Sequence, residues 1–233
     1  MTLLFVAAEP REFSGLLRHV RQIERLHWPV DWARAADCGG RRFVLLANGA
    51  GPDRAGAATA AGLQRVRADG VVSTGFCGAL DPALWPGDVF VASSVETDGG
   101  RFPARDPGAG GRRHASGGLA SIRQVARTAA EKAQLRGVTG AGAVEMEAAG
   151  VAGEACRAGL PFYCIRSVTD RAGESFSIDF NALLQSDGHF DTMLLLGSIV
   201  RKPTVALPEV LRLWRRCCLA TLTLGEFIAD CRF

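Results

Sequence analysis

The sequence predicts an α/β fold, a central, twisted, mixed sheet flanked by helices. Three observations carry that prediction. Apolar runs of strand length, at residues 3–8, 42–46, 70–74, 89–93 and 162–165, alternate with stretches of helical periodicity. Runs of this uninterrupted kind suit strands buried on both faces. The 28 glycines cluster in turns between the runs, which suits tight loops beside a ligand. Finally, Glu12, Glu147 and Asp170 each follow a strand-like run, and α/β sheets bind ligands beyond the carboxyl ends of their strands.

Taken in order, the chain begins with a strand at 3–8 that Pro10 stops, followed by a helix to about residue 23. Residues 28–32 and 42–46 read as a hairpin turned at Gly39-Gly40. The loop 48–52 then leads into an alanine-rich helix. Gly49 and Gly51 lack the spacing of a dinucleotide-binding loop. A glycine loop at a helix N-terminus can still cradle an anion or a hydroxyl, with Arg54 beside it. The strand at 70–74 runs into Gly75-Phe76-Cys77-Gly78-Ala79-Leu80, and Pro86-Gly87-Asp88 turns the chain into the strand at 89–93. Residues 98–118, rich in glycine and arginine and without periodicity, read as a flexible loop. A strand at 122–126 and a short helix from Ala129 follow.

Residues 142–173 organise the rest. A helix from Glu147 to about residue 158 carries small or apolar residues at Ala148, Val151, Ala152 and Cys156. Gly159 stands just past its end and Pro161 follows. Phe162-Tyr163-Cys164-Ile165 is a buried strand that ends in Ser167-Val168-Thr169-Asp170. Taken singly, Glu12 and Glu147 read as first-turn carboxylates on helix dipoles, and Asp170 as a cap. Taken together, the three acids point to one pocket. Past Asp170 come a short helix at 179–184, His189 in a polar loop, and helices at 192–200 and 207–229. The last sets Arg212, Arg215 and Arg216 beside Leu211, Trp214, Leu219 and Leu222. That is an amphipathic face for the core, a partner subunit or a membrane surface.

Composition narrows the classes. Apolar residues make up 48% of the 233, enough for a full core. That length suits one domain over 1–233, with 190–233 as a helical C-terminal extension. No apolar window approaches eighteen residues, so no transmembrane helix is expected. The N-terminus lacks a basic leader region and reads as a strand. The net charge of +3 is mild and no basic tract is interleaved with aromatics, which argues against nucleic acid. The seven cysteines show neither CxxC nor Cys/His metal spacing. They predict no metal, reduced thiols and a cytoplasmic location.

Val144-Glu145-Met146-Glu147-Ala148-Ala149-Gly150, followed about twenty residues later by Arg166-Ser167-Val168-Thr169-Asp170, resembles the nucleoside phosphorylase and nucleosidase superfamily. By this motif the sequence is similar to methylthioadenosine/adenosylhomocysteine nucleosidases, futalosine hydrolases and hopanoid-associated phosphorylases. The resemblance spans residues 3–179. It implies a three-layer phosphorylase-like sandwich and cleavage of the N-glycosidic bond of a purine nucleoside with a 5′ substituent. Water or inorganic phosphate would be the co-substrate, with no cofactor, and the enzyme would be a homo-oligomer.

The resemblance also implies roles. Asp170 would protonate the purine at N7, and Glu12 would be the general base for water, with Glu9 the weaker candidate. Glu147 would accept from the ribose hydroxyls, and Met146 and Val144 would line the sugar and base. Phe76, Cys77 and Gly78 would line them with backbone, and the backbone near Val125 and Ala126 would face the base. Phe76 stands where the methylthioadenosine nucleosidases usually have a small polar residue. That departure and the run Gln124–Leu135 resemble the futalosine and hopanoid branches. For phosphate, the loop with Gly49, Gly51 and Arg54 and the Gly75–Gly78 loop would be the cradle. A strong base is superfluous for phosphate, so Glu12 favours hydrolysis. The alternative is a catalytically inactive nucleoside-binding protein of the same fold. Retention of Glu12, Glu147 and Asp170 argues for the enzyme.

Overall fold

The computed structural model describes residues 1–185, 187–201 and 203–233. Its strands are β1 (Thr2–Ala7), β2 (Arg21–Arg25), β3 (Trp32–Cys38), β4 (Arg41–Ala47), β5 (Gly70–Ala79), β6 (Val89–Thr97), β7 (Gly100–Pro103), β8 (Ala115–Ser121), β9 (Ala143–Glu145) and β10 (Phe162–Asp170). Its helices are α1 (Pro52–Leu63), α2 (Ala129–Thr139), α3 (Ala148–Arg157), α4 (Phe180–Leu183), α5 (Thr192–Arg201) and α6 (Pro203–Asp230).

The strands form one mixed sheet in the order β10-β6-β8-β9-β5-β1-β4-β3-β2, with β7 on β6. Side chains alternate across each central strand. Leu4 and Val6 of β1 point to one face, where they meet Val44, Leu46, Ala55, Ala58, Val151 and Ala152 beneath α1 and α3. Leu3 and Phe5 point to the other, against Phe43, Leu45, Ile165, Leu224, Phe227 and Ile228 beneath α6. Helices therefore cover both faces, which gives the expected three layers. This two-sided burial is why β1, and residues 43–47 of β4 and 162–165 of β10, read as apolar runs.

β10 pairs in parallel with β5 and antiparallel with β6, so β5, β10, β6, β8 and β9 close into a ring. The closure turns on β5. Its first residues pair with β1, residues 71–78 with β10, and Gly78 and Ala79 with β9. Between the β1 and β9 pairings Gly75 has φ +134°, a conformation open to glycine and costly for other residues.

Several boundaries differ from expectation. No helix follows β1. Two single 3-10 turns, Pro10–Phe13 and Leu16–Arg18, lead into the exposed edge strand β2. The hairpin turns at Gly39-Gly40 as expected, but its first strand is Trp32–Cys38 and not 28–32. The alternating Ala and charged residues of Trp32–Cys38 disguise it, since β2 on its outer edge is polar. Residues 98–118 are not all loop: they hold β7 and the start of β8. The strand expected at 122–126 lies earlier, at Ala115–Ser121, where glycines at 117 and 118 mask β propensity. The last helix starts at Pro203 and runs through Pro208. Pro203 suits the first helical position, while Pro208 lies inside the helix.

The layer of α1 and α3 is held at backbone distance. A Cβ on Gly150 would sit 1.9 Å from the Pro52 carbonyl oxygen. Gly150→Ala is therefore expected to cost about 1–3 kcal/mol, the range for overpacking, although alanine favours a helix over glycine. Urea denaturation reads it; a stabilised variant would show that the two helices can separate freely.

Candidate active site

Glu12 sits in the 3-10 turn that Pro10 starts just past β1. Its side chain turns inward because backbone donors hold both oxygens. Oε2 accepts from the Glu9 N–H at 2.8 Å, and Oε1 accepts from the Phe76 N–H at 2.9 Å. A Cβ on Gly75 would lie 2.5 Å from Oε1, so that glycine makes room for the acid. Burial pushes the Glu12 carboxyl up, against the pull of these N–H groups and of Arg166. A carboxylate raised this way is a better proton acceptor. Glu9 is instead paired with Arg11 at 2.6 Å.

Glu145, not Glu147, serves the helix. Its Oε2 accepts from the N–H groups of Glu147 (2.9 Å) and Ala148 (2.8 Å) at the start of α3, and from Arg166. Glu147 is freed from that task. It is 7% exposed, and its Oε1 accepts one backbone bond, from the Gly51 N–H at 3.1 Å. Burial, then the neighbouring Glu145, raise its pKa to about 8, with Arg166 opposing.

Arg166 is 0% exposed, in the middle of β10. It holds Glu145, donates to Ser73 Oγ at 2.7 Å and lies 4.0 Å from Glu147. Its Nε and Nη1 find no partner among the described residues. Nη1 would be 3.0 Å from a Cβ on Gly75, the same point that faces Glu12. One free guanidinium nitrogen, Nη1, thus stands on the Glu12 side of Gly75. Sequence reasoning passed over Arg166. Its signal was a charge inside an apolar strand run, which demands a buried counter-charge.

Asp170 ends β10 opposite Gly78, and a Cβ there would lie 2.9 Å from its Oδ2. Thr169 Oγ1 lies 2.9 Å from Oδ1, and Lys132 Nζ contacts Oδ2. Lys132 is 1% exposed and was also missed. It also donates to the carbonyls of Arg171 (2.9 Å) and Glu174 (3.3 Å). A capping box of Thr128 and Glu131 pins the first turn of α2 that carries it. Burial raises the Asp170 carboxyl, and Lys132 opposes it.

Strand β5 thus links the acids, with Glu12 and Arg166 at Gly75 and Asp170 at Gly78; Glu147 faces the same Arg166. Cys77 and Val144 are buried, Phe76 and Gly78 half-buried, and Val144 of β9 pairs with Gly78. Met146 is buried between β9 and α3. Both backbone groups of Val125 are taken by the Asn181 amide, at 2.7 and 3.1 Å. Only Ala126 of that pair is without such a side-chain clasp among these bonds. The 48–54 loop is also engaged. Arg54 Nε donates to the Asn48 carbonyl at 2.6 Å and its Nη2 to Asp31 at 2.8 Å. The Ala50 N–H donates to the Gly188 carbonyl at 2.8 Å, and a Cβ on Gly49 would meet the Asp187 carbonyl. A cavity of about 760 Å³ lies against α2 and the 171–174 turn, lined by Leu80, Ala133, Arg136 and Arg171. None of the three acids lines it. Among the described residues no group of three His, Cys, Asp or Glu could hold a metal ion, and no helix is long and apolar enough to cross a membrane.

Glu147 has a consequence for stability. An acid whose pKa is higher folded than unfolded binds more protons in the folded state between the two values. Stability then falls as pH rises through that window. For Glu147 the window runs from 4.5 to about 8. Glu147→Gln keeps an acceptor for the Gly51 N–H and removes the charge. It is expected to stabilise the fold by on the order of 2 kcal/mol at pH 8 and little near pH 4. Melting curves at both pH values read this; equal gains at both would show that ionisation is not the cause.

Comparison with known proteins agrees with this architecture. The family model described as "Phosphorylase superfamily" matches residues 33–116 and 104–187. A 5'-methylthioadenosine/S-adenosylhomocysteine nucleosidase of Geobacillus thermodenitrificans is 28% identical over 188 residues, covering 69% of this chain and 80% of the relative. One of Oceanobacillus iheyensis is 24% identical over 226 residues, covering 85% and 99%. In fold, the chain superposes on the Neisseria meningitidis nucleosidase in complex with methylthio-immucillin-A. The TM-score is 0.73 at 21% identity, covering 98% and 99%. It also superposes on a futalosine hydrolase mutant of Helicobacter pylori, with TM-score 0.73 at 15% identity, covering 99% and 97%. The matched segments span most of the sheet, both site glycines and all but the first of the three acids, and the chain belongs to the phosphorylase superfamily.

Proposed function

We propose that the chain hydrolyses the N-glycosidic bond of a purine nucleoside carrying a 5′ substituent. The observation that carries this is a buried carboxylate, Glu12, facing the same point at Gly75 as the unpartnered Nη1 of Arg166. A water molecule fits such a pair. Glu12 takes its proton while the guanidinium fixes its oxygen. Further along β5, at Gly78, Asp170 gives a proton to the purine ring as the C1′–N9 electron pair moves onto the base. The oxocarbenium-like sugar formed on the way needs hydroxyl anchoring, and Glu147, released from helix duty by Glu145, supplies an acceptor. The relatives named as nucleosidases support this reading.

Phosphorolysis is the weaker reading, because the Gly51 N–H and the Arg54 side chain already have partners. A homo-oligomer would draw on the exposed Leu207, Leu211 and Trp214 of α6. The experiment is release of free base from methylthioadenosine, adenosylhomocysteine, futalosine, adenosine and inosine, with and without phosphate. Release without phosphate is the expected result. Release only with phosphate would make the chain a phosphorylase. No release by a folded sample would make it a nucleoside-binding protein.

A further inference from the structure

Lys132 is not explained by packing. It lies on the first turns of a helix whose neighbours at 130, 131 and 134 are exposed, yet its ammonium is buried. Its three acceptors are Asp170 Oδ2 and the carbonyls of Arg171 and Glu174, which use all three of its protons. A satisfied ammonium has nothing left for a substrate. Among the described residues its one charged partner is the carboxyl that ends β10.

We propose that Lys132 is a positioning residue for proton delivery: it occupies Asp170 Oδ2 as a donor, so that the transferable proton must reside on Oδ1. An ammonium cannot accept, so a proton on Oδ2 would face another donor. Oδ1 faces Thr169 Oγ1, which also lies 3.3 Å from the Cys77 carbonyl. With its own proton turned to that carbonyl, the hydroxyl accepts from a protonated Oδ1 and holds it in one rotamer. When substrate is bound, Oδ1–H passes its proton to the purine ring as the C1′–N9 bond breaks. Asp170 becomes a carboxylate already facing a cation, so the charge that appears during the step meets a preorganised partner. Water adds to C1′ and its proton goes to Glu12. Solvent then returns one proton to Asp170 and takes one from Glu12. This rests on the reading of Asp170 as the acid.

The groups that face Asp170 are Lys132 from α2, Cys77 from β5, Glu174 from the following turn and Arg216 from α6. Glu174 and Arg216 neutralise each other at 2.6 and 2.9 Å, which leaves Lys132 as the charge that sets the acid. Loss of Lys132 should therefore make Asp170 a weaker acid.

The test is Lys132→Met, with Lys132→Gln as a second variant that keeps donors for the two carbonyls. Carboxyl 13C NMR of Asp170, assigned with Asp170→Asn, is expected to show titration at higher pH in either variant than in the wild type. Turnover should fall by about 10–100-fold, with KM changed by less than about threefold. The alkaline limb of the rate profile should move up in pH. In an Asp170→Asn background the Lys132 effect on turnover should vanish. An unchanged or lowered Asp170 titration in a folded variant overturns the proposal, as does a full Lys132 effect in the Asn background. If the wild type releases no base at all, the hydrolase reading fails while the NMR titration still decides whether Lys132 sets the acid.

Discussion

Asp170→Asn is expected to lower turnover by about 10²–10⁴, or ~3–5 kcal/mol of barrier, the usual worth of a general acid. The amide reproduces the shape of the site. Its oxygen can accept from Lys132, and its NH₂ can donate to Thr169 Oγ1, whose own proton has the Cys77 carbonyl as acceptor. What it cannot do is give up a proton. Substrate binding should survive, since Glu147 and the backbone of β5 are untouched. Stability should be largely kept, because a carboxyl whose pKa is raised on folding gains no net stability from its charge. The pH dependence separates the acid from a structural cap. Burial raises the Asp170 carboxyl, and an acid must be protonated to act. Wild-type rates should fall as pH rises through that pKa, and the residual rate of the Asn variant should not follow that limb. A nucleoside whose base leaves easily should lose less. Normal kcat on an unactivated purine nucleoside would remove Asp170 from the mechanism, whatever the melting temperature did.

The same site shows what the sequence could and could not disclose. β1, and residues 43–47 of β4 and 162–165 of β10, were legible because both faces are buried and their runs are continuous. Trp32–Cys38 and Ala115–Ser121 were not, because alanine and glycine dilute the β signal and neighbouring strands, absent from local sequence, decide the pairing. The three acids were found by position, as the residues after strand ends. Their electrostatic partners were harder. Arg166 is visible as a charge inside an apolar run, but only the fold shows that Glu145 is its mate, twenty-one residues away in sequence. Lys132 gave no local signal, since a lysine one residue past a capping box reads as a solvated helix face. Its burial depends on the Arg171–Glu174 turn folding back onto α2. The reading of Glu147 taken singly, as a helix first-turn carboxylate, does not fit for a related reason: two acids stand close together, and the geometry of β9 gives the α3 N-terminus to Glu145.

Arg166 carries the largest expected stability effect. Arg166→Met removes what is, among the described residues, the one cation acting on Glu12, Glu145 and Glu147, all of them buried. Breaking a buried pair by deleting one partner typically costs about 3–5 kcal/mol, because the other charge stays behind without compensation. That is a large share of the ~5–15 kcal/mol that holds a domain. The sign with pH follows from the carboxyls. Arg166 pulls down the pKa of both Glu12 and Glu147, so its loss pushes both further up. Folded protein then binds still more protons than unfolded protein, and stability falls more steeply as pH rises. The gap between variant and wild type should thus be widest at alkaline pH and shrink as the carboxyls protonate. Pairing the change with Glu145→Gln should recover part of the loss, since the amide keeps an acceptor for the α3 N–H groups and carries no charge. Denaturation of wild type, Arg166→Met and the double variant at pH 5 and 8 reads all three effects. A gap of the same size at both pH values would mean that Arg166 holds the site by shape and hydrogen bonds, and that the carboxylates around it do not depend on its charge.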